Sequence, residues 1–407
     1  MANLFDYLEW RGDVPLSLDP FGEVDNLLLA ELAYTDFCGV VPEDGTEISV
    51  GEALRGFFSR HTREEVLADK KFTAKAPLLM EGMAQGARFR DMKLCWYLNE
   101  IDQDREEQLS AVTFLLPDGS AYVAFRGTDD TLVGWKEDFN FSYLSETAGQ
   151  RRAVEYLNQA GKRLSGPILV GGHSKGGNFA VYASAFCEED VQARIQTIYS
   201  NDGPGFRQEI VDSEAYGRVL PRIVSIVPDS AVVGLLLSRK SVPQVIKSSA
   251  WGIFQHDGFT WQVKRSRFVA APLSVLGEMT DKVLGGWLEQ LDDETRRVFT
   301  RTIFSILEAT GAETLSDIGE QKWKGVEAIF AAIRALPREK QQQILRILGQ
   351  LGQSGGQVTA EYLAALRARK AGEDQAAGIS GLSEALRDLN PMEKIRKIAE
   401  KLLTEKE

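Results

Sequence analysis

Cysteine and histidine are scarce in this 407-residue sequence, and both scarcities limit its chemistry. The three cysteines, Cys38, Cys95 and Cys187, are an odd number at wide spacing. They form neither a disulfide framework nor a Cys-x-x-Cys metal site, so we expect no metal and no organic cofactor. With only three histidines, few positions can supply an imidazole base.

Long apolar runs and clustered positive charge are also missing. The longest apolar candidate, 231–237, is far too short to span a bilayer, and the first residues lack the apolar core of a signal peptide. The formal net charge is -12, which disfavours binding to nucleic acid or to anionic membranes. We therefore expect a cytoplasmic protein that binds no nucleic acid and has no transmembrane segment.

The patterning predicts three parts. Residues 1–109 form a helical and loop-rich part packed on the core, with helices over 24–34, 62–68 and 75–87. Residues 110–270 form an α/β core. Residues 271–407 form an all-helical extension, with helices over 277–310, 316–336 and 338–351 and a charged tail over 391–407, and it could bind a protein partner or self-associate.

Within the α/β core, strands alternate with helices. Two short apolar runs flank Pro117–Ser120, which predicts a β-hairpin. A helix over 146–164 and a helix over 178–186 are then interleaved with short strands over 167–170, 195–199 and 223–227. This alternation predicts a mostly parallel sheet with helices on its faces.

The segment Gly172-His173-Ser174-Lys175-Gly176 has the form of a nucleophile elbow. An apolar strand precedes it and a helix of small residues follows, which is the context that the motif requires. The turn is so tight that Gly172 and Gly176 must be small. We expect Ser174 to be the activated nucleophile of a serine esterase.

A serine hydroxyl needs a base, and elimination indicates His256. His61 lies before the predicted sheet, and the side chain of His173 should point away from the reactive face of the elbow, where it packs or orients the turn. His256 follows the serine in the chain, as this type of fold requires.

The acid that orients the imidazole should follow a strand between the serine and His256. Asp229 and Asp202 both do so. We prefer Asp229, because the later strand end should lie closer to the loop 254–258 that carries His256, called the histidine loop below. Asp202 is kept as the alternative. Asp202 also has an ordinary explanation as a turn residue, since Asn, Gly and Pro flank it.

An oxyanion needs preplaced donors. The backbone N–H of Lys175 should supply one, and Thr128, which follows the predicted strand end at 124–127, could offer its N–H and its hydroxyl.

These motifs resemble the class 3 (fungal-type) lipases over about 110–260. The resemblance rests on AFRGT followed by Trp135 and Asp138, then GGHSKGGNFA, a strand-end Asp and a late His. The opening FDYLEWRGDVPLSLDPFGEVDNLLLAELAYTDF extends a closer resemblance, to the bacterial Mbeg-like proteins, over about 3–260.

The resemblance implies an α/β-hydrolase fold and an oxyanion role for Thr128, with Ser174, Asp229 and His256 as the triad. It implies hydrolase chemistry but not a substrate, and we expect that substrate to be a small ester or a lipid. Lys175 departs from the lipases, which mostly carry Leu there; its ammonium could stabilise negative charge or favour an anionic substrate, or could face solvent at the helix start.

The sequence leaves the class of reaction open. Thioesterases and peptidases use the same triad, and a non-catalytic interaction protein could keep a lipase-like scaffold. We also expect the segment 231–251, between acid and histidine, to form part of an acyl-chain pocket or its cover.

Overall fold

The computed structural model describes residues 1–274, 277–278 and 291–308, except residues 70, 103, 105, 130 and 251. The chain divides into two units, Met1–Leu273 and Ser274–Glu407. The helices predicted over 316–336 and 338–351 and the tail over 391–407 lie outside the described residues.

An eight-stranded sheet with strand order β1 to β8 forms the centre of the first unit. The first four strands pair antiparallel, and β4 to β8 pair parallel to one another. A separate two-stranded ribbon pairs β9 with β10. The strands are β1 Ile48–Ser49, β2 Lys93–Asp102, β3 Glu107–Leu115, β4 Ala121–Phe125, β5 Ile168–His173, β6 Ile195–Asn201, β7 Ile223–Pro228, β8 Gln244–Ile246, β9 Val263–Lys264 and β10 Arg267–Phe268.

Helices cover both faces of this sheet, and five short 3₁₀ helices connect elements within the described residues. The α-helices of the first unit are α1 Leu4–Arg11, α2 Glu23–Leu32, α3 Val50–Phe58, α4 Arg63–Ala68, α5 Leu79–Gln85, α6 Leu132–Asn140, α7 Ala148–Arg163, α8 Lys175–Phe186, α9 Glu189–Arg194, α10 Gln208–Val211 and α11 Glu214–Val219. The 3₁₀ helices are Phe72–Leu78, Leu220–Arg222, Val233–Leu235, Gly252–His256 and Gly258–Thr260.

The predicted hairpin and parallel sheet are confirmed. β3 and β4 pair antiparallel around Pro117–Ser120, where Asp118 accepts a hydrogen bond from the Ser120 N–H at 3.0 Å and Gly119 takes a φ of +84° that favours glycine. Every residue of β4 and β5 is buried. Strands covered on both faces read as continuous apolar runs, which is why the sequence pattern located them.

Strand β2 was not predicted, because its alternation is interrupted. The register against β3 shifts between Cys95 and Leu98, and Trp96 there has a positive φ of 52°. Such an irregularity inserts an extra residue and turns the side chains that follow to the other face. The sheet therefore begins before residue 110, inside the part predicted to hold only helices and loops.

The N-terminal part shares its core with the sheet. Helix α2 is buried along nearly its whole length, and its Asp25 forms a buried ion pair with Arg88, whose Nε lies 2.7 Å from Asp25 Oδ1. The Tyr7 hydroxyl donates to the same carboxylate at 2.9 Å. A buried charge needs such partners, so this cluster fixes α1 and α2 against the segment that precedes β2.

In the second unit the structure describes an α-helix, α12 Asp293–Glu308, within the range predicted as helical. Asp292 precedes it and accepts a hydrogen bond from the Thr295 N–H at 2.7 Å, as an N-terminal cap does. Among the described residues, no helix combines the length and the apolar character that crossing a bilayer would require.

Candidate active site

Ser174 lies at a strained turn between β5 and α8. Its backbone has φ 58° and ψ −131°, a conformation that side-chain-bearing residues rarely adopt. A Cβ on Gly172 would lie 2.3 Å from the carbonyl carbon of Gly176, and a Cβ on Gly176 would lie 2.0 Å from the Phe125 oxygen. Both positions therefore require glycine, as expected for a nucleophile elbow.

His256 is hydrogen-bonded to Asp202 in the structure. Its Nδ1 lies 2.6 Å from Asp202 Oδ2, and the carboxylate is 1% exposed. Asp202 follows β6 with a positive φ of 47°, and the Gly234 N–H donates to its Oδ1 at 3.0 Å. The carboxylate is thus fixed by the backbone and presents one oxygen to the imidazole, an arrangement that holds the ring in one tautomer.

The preference for Asp229 is corrected by this geometry. Asp229 follows β7, where the hydroxyl of Ser230 approaches its Oδ1 at 3.3 Å. The histidine loop is held at the strand that carries the serine, because His173, at the end of β5, bonds the carbonyl of His256 at 2.7 Å. The imidazole thereby reaches β6, which is the direct neighbour of the strand that carries the serine.

The side chain of His173 holds the histidine loop through the backbone carbonyl of His256. Its Nε2 lies 2.7 Å from the carbonyl oxygen of His256, and the two rings are 4.6 Å apart between centroids. Since a carbonyl only accepts, Nε2 carries the proton and Nδ1 accepts from the Tyr34 hydroxyl at 3.0 Å. Burial lowers the pKa of His173 well below its usual range, so the ring is neutral.

Helix α2 also fixes the backbone of the elbow. Asn26 donates to the side chain of Asn201 at 2.8 Å, and Asn201 in turn donates to the carbonyl of Gly172 at 3.0 Å. The Ser174 N–H donates to the Asn201 carbonyl at 2.9 Å. These contributions from the N-terminal part were not predicted. The sequence held one signal for these contacts: polar residues stand within a helix whose apolar run suggests that it is completely buried.

Glu31, at the end of α2, is a buried carboxyl beside this network. Its Oε1 lies 3.6 Å from His173 Nδ1, and among the described residues neither of its oxygens has a hydrogen-bond partner. Burial raises the pKa of Glu31 well above its usual range, and the charge of Asp257 raises it further. Both effects favour the protonated form of this carboxyl.

The turn after β4 lies directly against the serine. A Cβ on Gly127 would come within 2.9 Å of the Ser174 Cβ, so glycine is needed for the close approach. Thr128, the next residue, is 6% exposed, and its hydroxyl donates to Asp138 Oδ2 at 2.5 Å. The turn therefore places Gly127 against the serine, while the hydroxyl of Thr128 is bonded to Asp138. The oxyanion role of Thr128 stays a prediction.

The side chain of Lys175 is completely buried and does not face solvent. Its Nζ donates to Gln108 Oε1 at 2.8 Å and lies 3.2 Å from Glu137 Oε2. The expectation that this ammonium faces solvent is therefore wrong, because it is buried against a carboxylate at the same depth. Its effect on an anionic substrate stays a prediction. The backbone N–H of Lys175 lies directly after Ser174, at the start of α8.

The segment proposed to cover the site, 231–251, contains the 3₁₀ helix Val233–Leu235 and strand β8, and residue 251 lies outside the described part. Leu235 is 7% exposed and packs with Val227 and Ala231 in a small apolar cluster. Leu236 is partly exposed. The role of the segment 231–251 in binding an acyl chain stays a prediction. Among the described residues, no group of three or more His, Cys, Asp and Glu side chains is arranged to hold a metal ion.

A strained serine between a parallel strand and a helix, with an imidazole–carboxylate pair from later strand ends, defines an α/β-hydrolase fold. The chain belongs to the Mbeg1-like family, whose model matches residues 83–305. No curated protein sequence matches it.

Solved structures similar to this chain include two lipases. M37 lipase is 16% identical, with 51% of this chain and 68% of that chain covered and a TM-score of 0.33. The Rhizomucor miehei lipase in its propeptide complex is 16% identical, with 54% and 66% covered and a TM-score of 0.34. Both are too distant to transfer an activity to this chain.

Proposed function

We propose that this protein is a serine hydrolase that cleaves carboxylic esters through an acyl-enzyme. The observation that carries the proposal is the 2.6 Å hydrogen bond between His256 and Asp202. His173, the residue before Ser174, bonds the backbone carbonyl of His256 and so holds the histidine loop. A buried carboxylate on an imidazole beside a strained serine has the parts that nucleophilic acyl transfer needs.

In the proposed first step, Ser174 Oγ attacks the ester carbonyl while His256 takes its proton. Asp202 stabilises the imidazolium that forms. The backbone N–H groups of Thr128 and Lys175 stabilise the oxyanion. Collapse of this intermediate breaks the ester C–O bond, and His256 returns the proton to the leaving alcohol.

In the second step, water attacks the acyl-enzyme with His256 as base. The oxyanion forms again at the same donors, the carboxylic acid leaves, and Ser174 recovers its proton from the imidazolium. Every proton passes between the imidazole and the reacting oxygens, so the proposed cycle uses only the side chains and backbone N–H groups named.

A series of p-nitrophenyl esters from acetate to palmitate tests the proposal and ranks acyl chain length at the same time. We expect release of p-nitrophenol by the wild type and loss of at least about 10³-fold in rate in Ser174→Ala. The matched control is Ser200→Ala, a buried serine at the end of the adjacent strand. Equal rates for wild type and Ser174→Ala would contradict the proposal.

We further propose a cytoplasmic location. The three cysteines are free in the structure, and Cys38 among them is exposed. An exposed free thiol is suited to a reducing compartment, where disulfides are rare. Localisation of a fluorescent fusion in intact cells measures this directly, and export of the fusion would contradict it.

A further inference from the structure

The ammonium of Lys175 is buried among three acceptors. Its Nζ lies 2.8 Å from Gln108 Oε1, 3.2 Å from Glu137 Oε2 and 3.5 Å from the carbonyl oxygen of Gly134. An ammonium carries three N–H donors and no acceptor, so each donor has one partner here. The side chains of Lys175 and Glu137 are both 0% exposed. This arrangement is therefore well defined, because loss of any one bond would leave a buried polar group unpaired.

These acceptors belong to the strand beside β4 and to the helix that follows β4. Gln108 lies in β3, whereas Gly134 and Glu137 lie in α6. Gln108 also donates from its Nε2 to Thr131 Oγ1 at 3.2 Å. Thr131 caps α6, since the same oxygen accepts from the Gly134 N–H at 3.2 Å. The side chain of Lys175 therefore contacts the end of the turn after β4, directly at α6 and indirectly through Gln108.

The beginning of this turn touches the elbow through backbone atoms. A Cβ on Gly176 would lie 2.0 Å from the oxygen of Phe125, the last residue of β4. The end of the turn is equally close to its neighbours, since a Cβ on Gly134 would lie 2.9 Å from Thr128 Cγ2. The turn is thus attached to the elbow at both ends, by a glycine contact at its start and by the Lys175 side chain at its end.

We propose that Lys175 is a positioning residue whose side chain sets the distance between the two oxyanion donors. One donor is its own backbone N–H, and the other is the N–H of Thr128, in the turn that its ammonium fixes. Without the ammonium, α6 and the turn before it can shift relative to Ser174, and the two donors no longer point at one atom. This inference rests on the proposed function, including the oxyanion role of Thr128.

The charge of Lys175 is offset beside the ammonium itself. The carboxylate of Glu137 forms an ion pair with it, and two backbone N–H groups hold that carboxylate, from Gln108 at 3.1 Å and from Gly149 at 2.8 Å. Replacement of both members of a buried ion pair by neutral side chains often costs little stability. We therefore infer a contribution to the geometry of the site rather than to its charge.

The double variant Lys175→Met with Glu137→Gln tests the proposal. It removes both charges, so the sum of charge at the pair stays zero, and methionine fills much of the lysine volume without its donors. It should be more stable than Lys175→Met alone, since no carboxylate is left buried without its cation. The matched control is Leu79→Ala, which removes buried apolar contacts in α5, a helix that packs on α1 and α3.

The first readout is the second-order rate of labelling by a fluorophosphonate probe. We expect the double variant to label about 10- to 100-fold more slowly than wild type, because displacement by about 1 Å weakens the donors in the transition state. The second readout is the inhibition constant of an alkyl trifluoromethyl ketone, which adds to the serine and forms the same oxyanion. This constant should rise by a similar factor, whereas a smaller fraction of folded protein would leave it unchanged. Leu79→Ala should change neither readout by more than about threefold.

A loss of less than about tenfold in the labelling rate of the double variant would overturn the proposal. An unchanged inhibition constant would overturn it too, and so would a rate that recovers together with stability from Lys175→Met to the double variant. In the last case the ion pair would act through folding alone.

Absence of labelling in the wild type would instead overturn the proposed function. Hydrogen exchange of the backbone amides of α6, followed by mass spectrometry, tests the positioning role without any activity. The double variant should exchange these amides faster than wild type and faster than Leu79→Ala, because α6 loses its bonds to Lys175. Exchange as slow as in wild type would contradict the positioning role of Lys175.

Discussion

Two aspartates are candidates to pair with His256, and they differ in the strand that each follows. Asp202 follows β6, beside the strand that carries the serine, whereas Asp229 follows β7, one strand further away. Sequence order alone could not decide between them, because both aspartates follow a strand and precede the histidine. The path of the histidine loop decides between them, and that path depends on a contact distant in sequence, the bond from His173 to the His256 carbonyl.

Asp202→Asn should therefore lower the rate of ester hydrolysis by about 10³–10⁴-fold, because an amide would stabilise the wrong tautomer of His256 and could not balance the imidazolium. Asp229→Asn is the matched control and should change the rate by less than about threefold. Initial rates with a p-nitrophenyl ester measure both. A larger loss in Asp229→Asn than in Asp202→Asn would contradict the assignment.

Glu31 gives a prediction on stability rather than on rate. Its pKa is raised in the folded protein, so between the unfolded carboxyl pKa of about 4.3 and the folded one, only the unfolded chain ionises. The unfolded chain then binds fewer protons, and stability falls as the pH rises, by up to about 1.4 kcal/mol per pH unit. Below about pH 4 this loss is absent.

Glu31→Gln removes this ionisation from both states. We expect the free energy of unfolding of the variant, relative to wild type, to rise with pH from 4 to 7 in urea titrations. Glu9→Gln, at an exposed position on α1, is the matched control. A difference between Glu31→Gln and wild type that stays constant over this range would show that Glu31 is already ionised in the folded protein.

At the scale of elements, a buried ion pair connects α6, which follows the turn after β4, to α8, which follows Ser174. Lys175 begins α8, and Glu137 lies in α6, three residues before the helix ends. Glu137 also accepts from the backbone N–H groups of Gln108 and Gly149, at 3.1 and 2.8 Å. These bonds fix α6, and with it Asp138, against β3 and α7.

Lys175→Met should lower the free energy of unfolding by about 3–5 kcal/mol, because it leaves the Glu137 carboxylate buried without its cation. The double variant Lys175→Met with Glu137→Gln should recover part of this loss. Urea denaturation of the two variants and of Glu137→Gln alone completes the cycle. A loss below about 1 kcal/mol in Lys175→Met would indicate a pair no stronger than one at the surface.

The elements themselves were predictable where burial is uniform. The helix after Ser174 and strands β5 to β7 follow from continuous apolar or small-residue runs. Strand β2 was missed because an irregularity at Trp96 interrupts its alternation. The elbow glycines followed from the motif, but the burial of Lys175 could not, since its partners lie 38 and 67 residues away in the chain.

At the scale of the whole molecule, the N-terminal part belongs to the same compact unit as Ser174. Helix α2 packs on the sheet and supplies Asn26 and Glu31, and Tyr34 follows it, so one face of the site depends on residues before the matched range 83–305. Sequence analysis placed this part on the core but gave it no role at the site. The connection runs through His173 and Asn201.

We therefore expect residues 1–273 to fold alone and to react at Ser174, since they form one unit with a shared core. Residues 48–273 should fail to unfold cooperatively, because removal of α1 and α2 exposes one face of the sheet and leaves Arg88 without Asp25. Thermal unfolding followed by circular dichroism compares the two. A cooperative transition in 48–273 would contradict the shared core.

The proposed function requires Ser174 to be a nucleophile activated by His256. Labelling of the full chain with a fluorophosphonate probe, followed by peptide mass spectrometry, examines this without a known substrate. We predict one modified residue, Ser174, and loss of labelling in Ser174→Ala and His256→Ala. Absence of labelling in the folded wild-type protein, or labelling that persists in Ser174→Ala, would contradict the account.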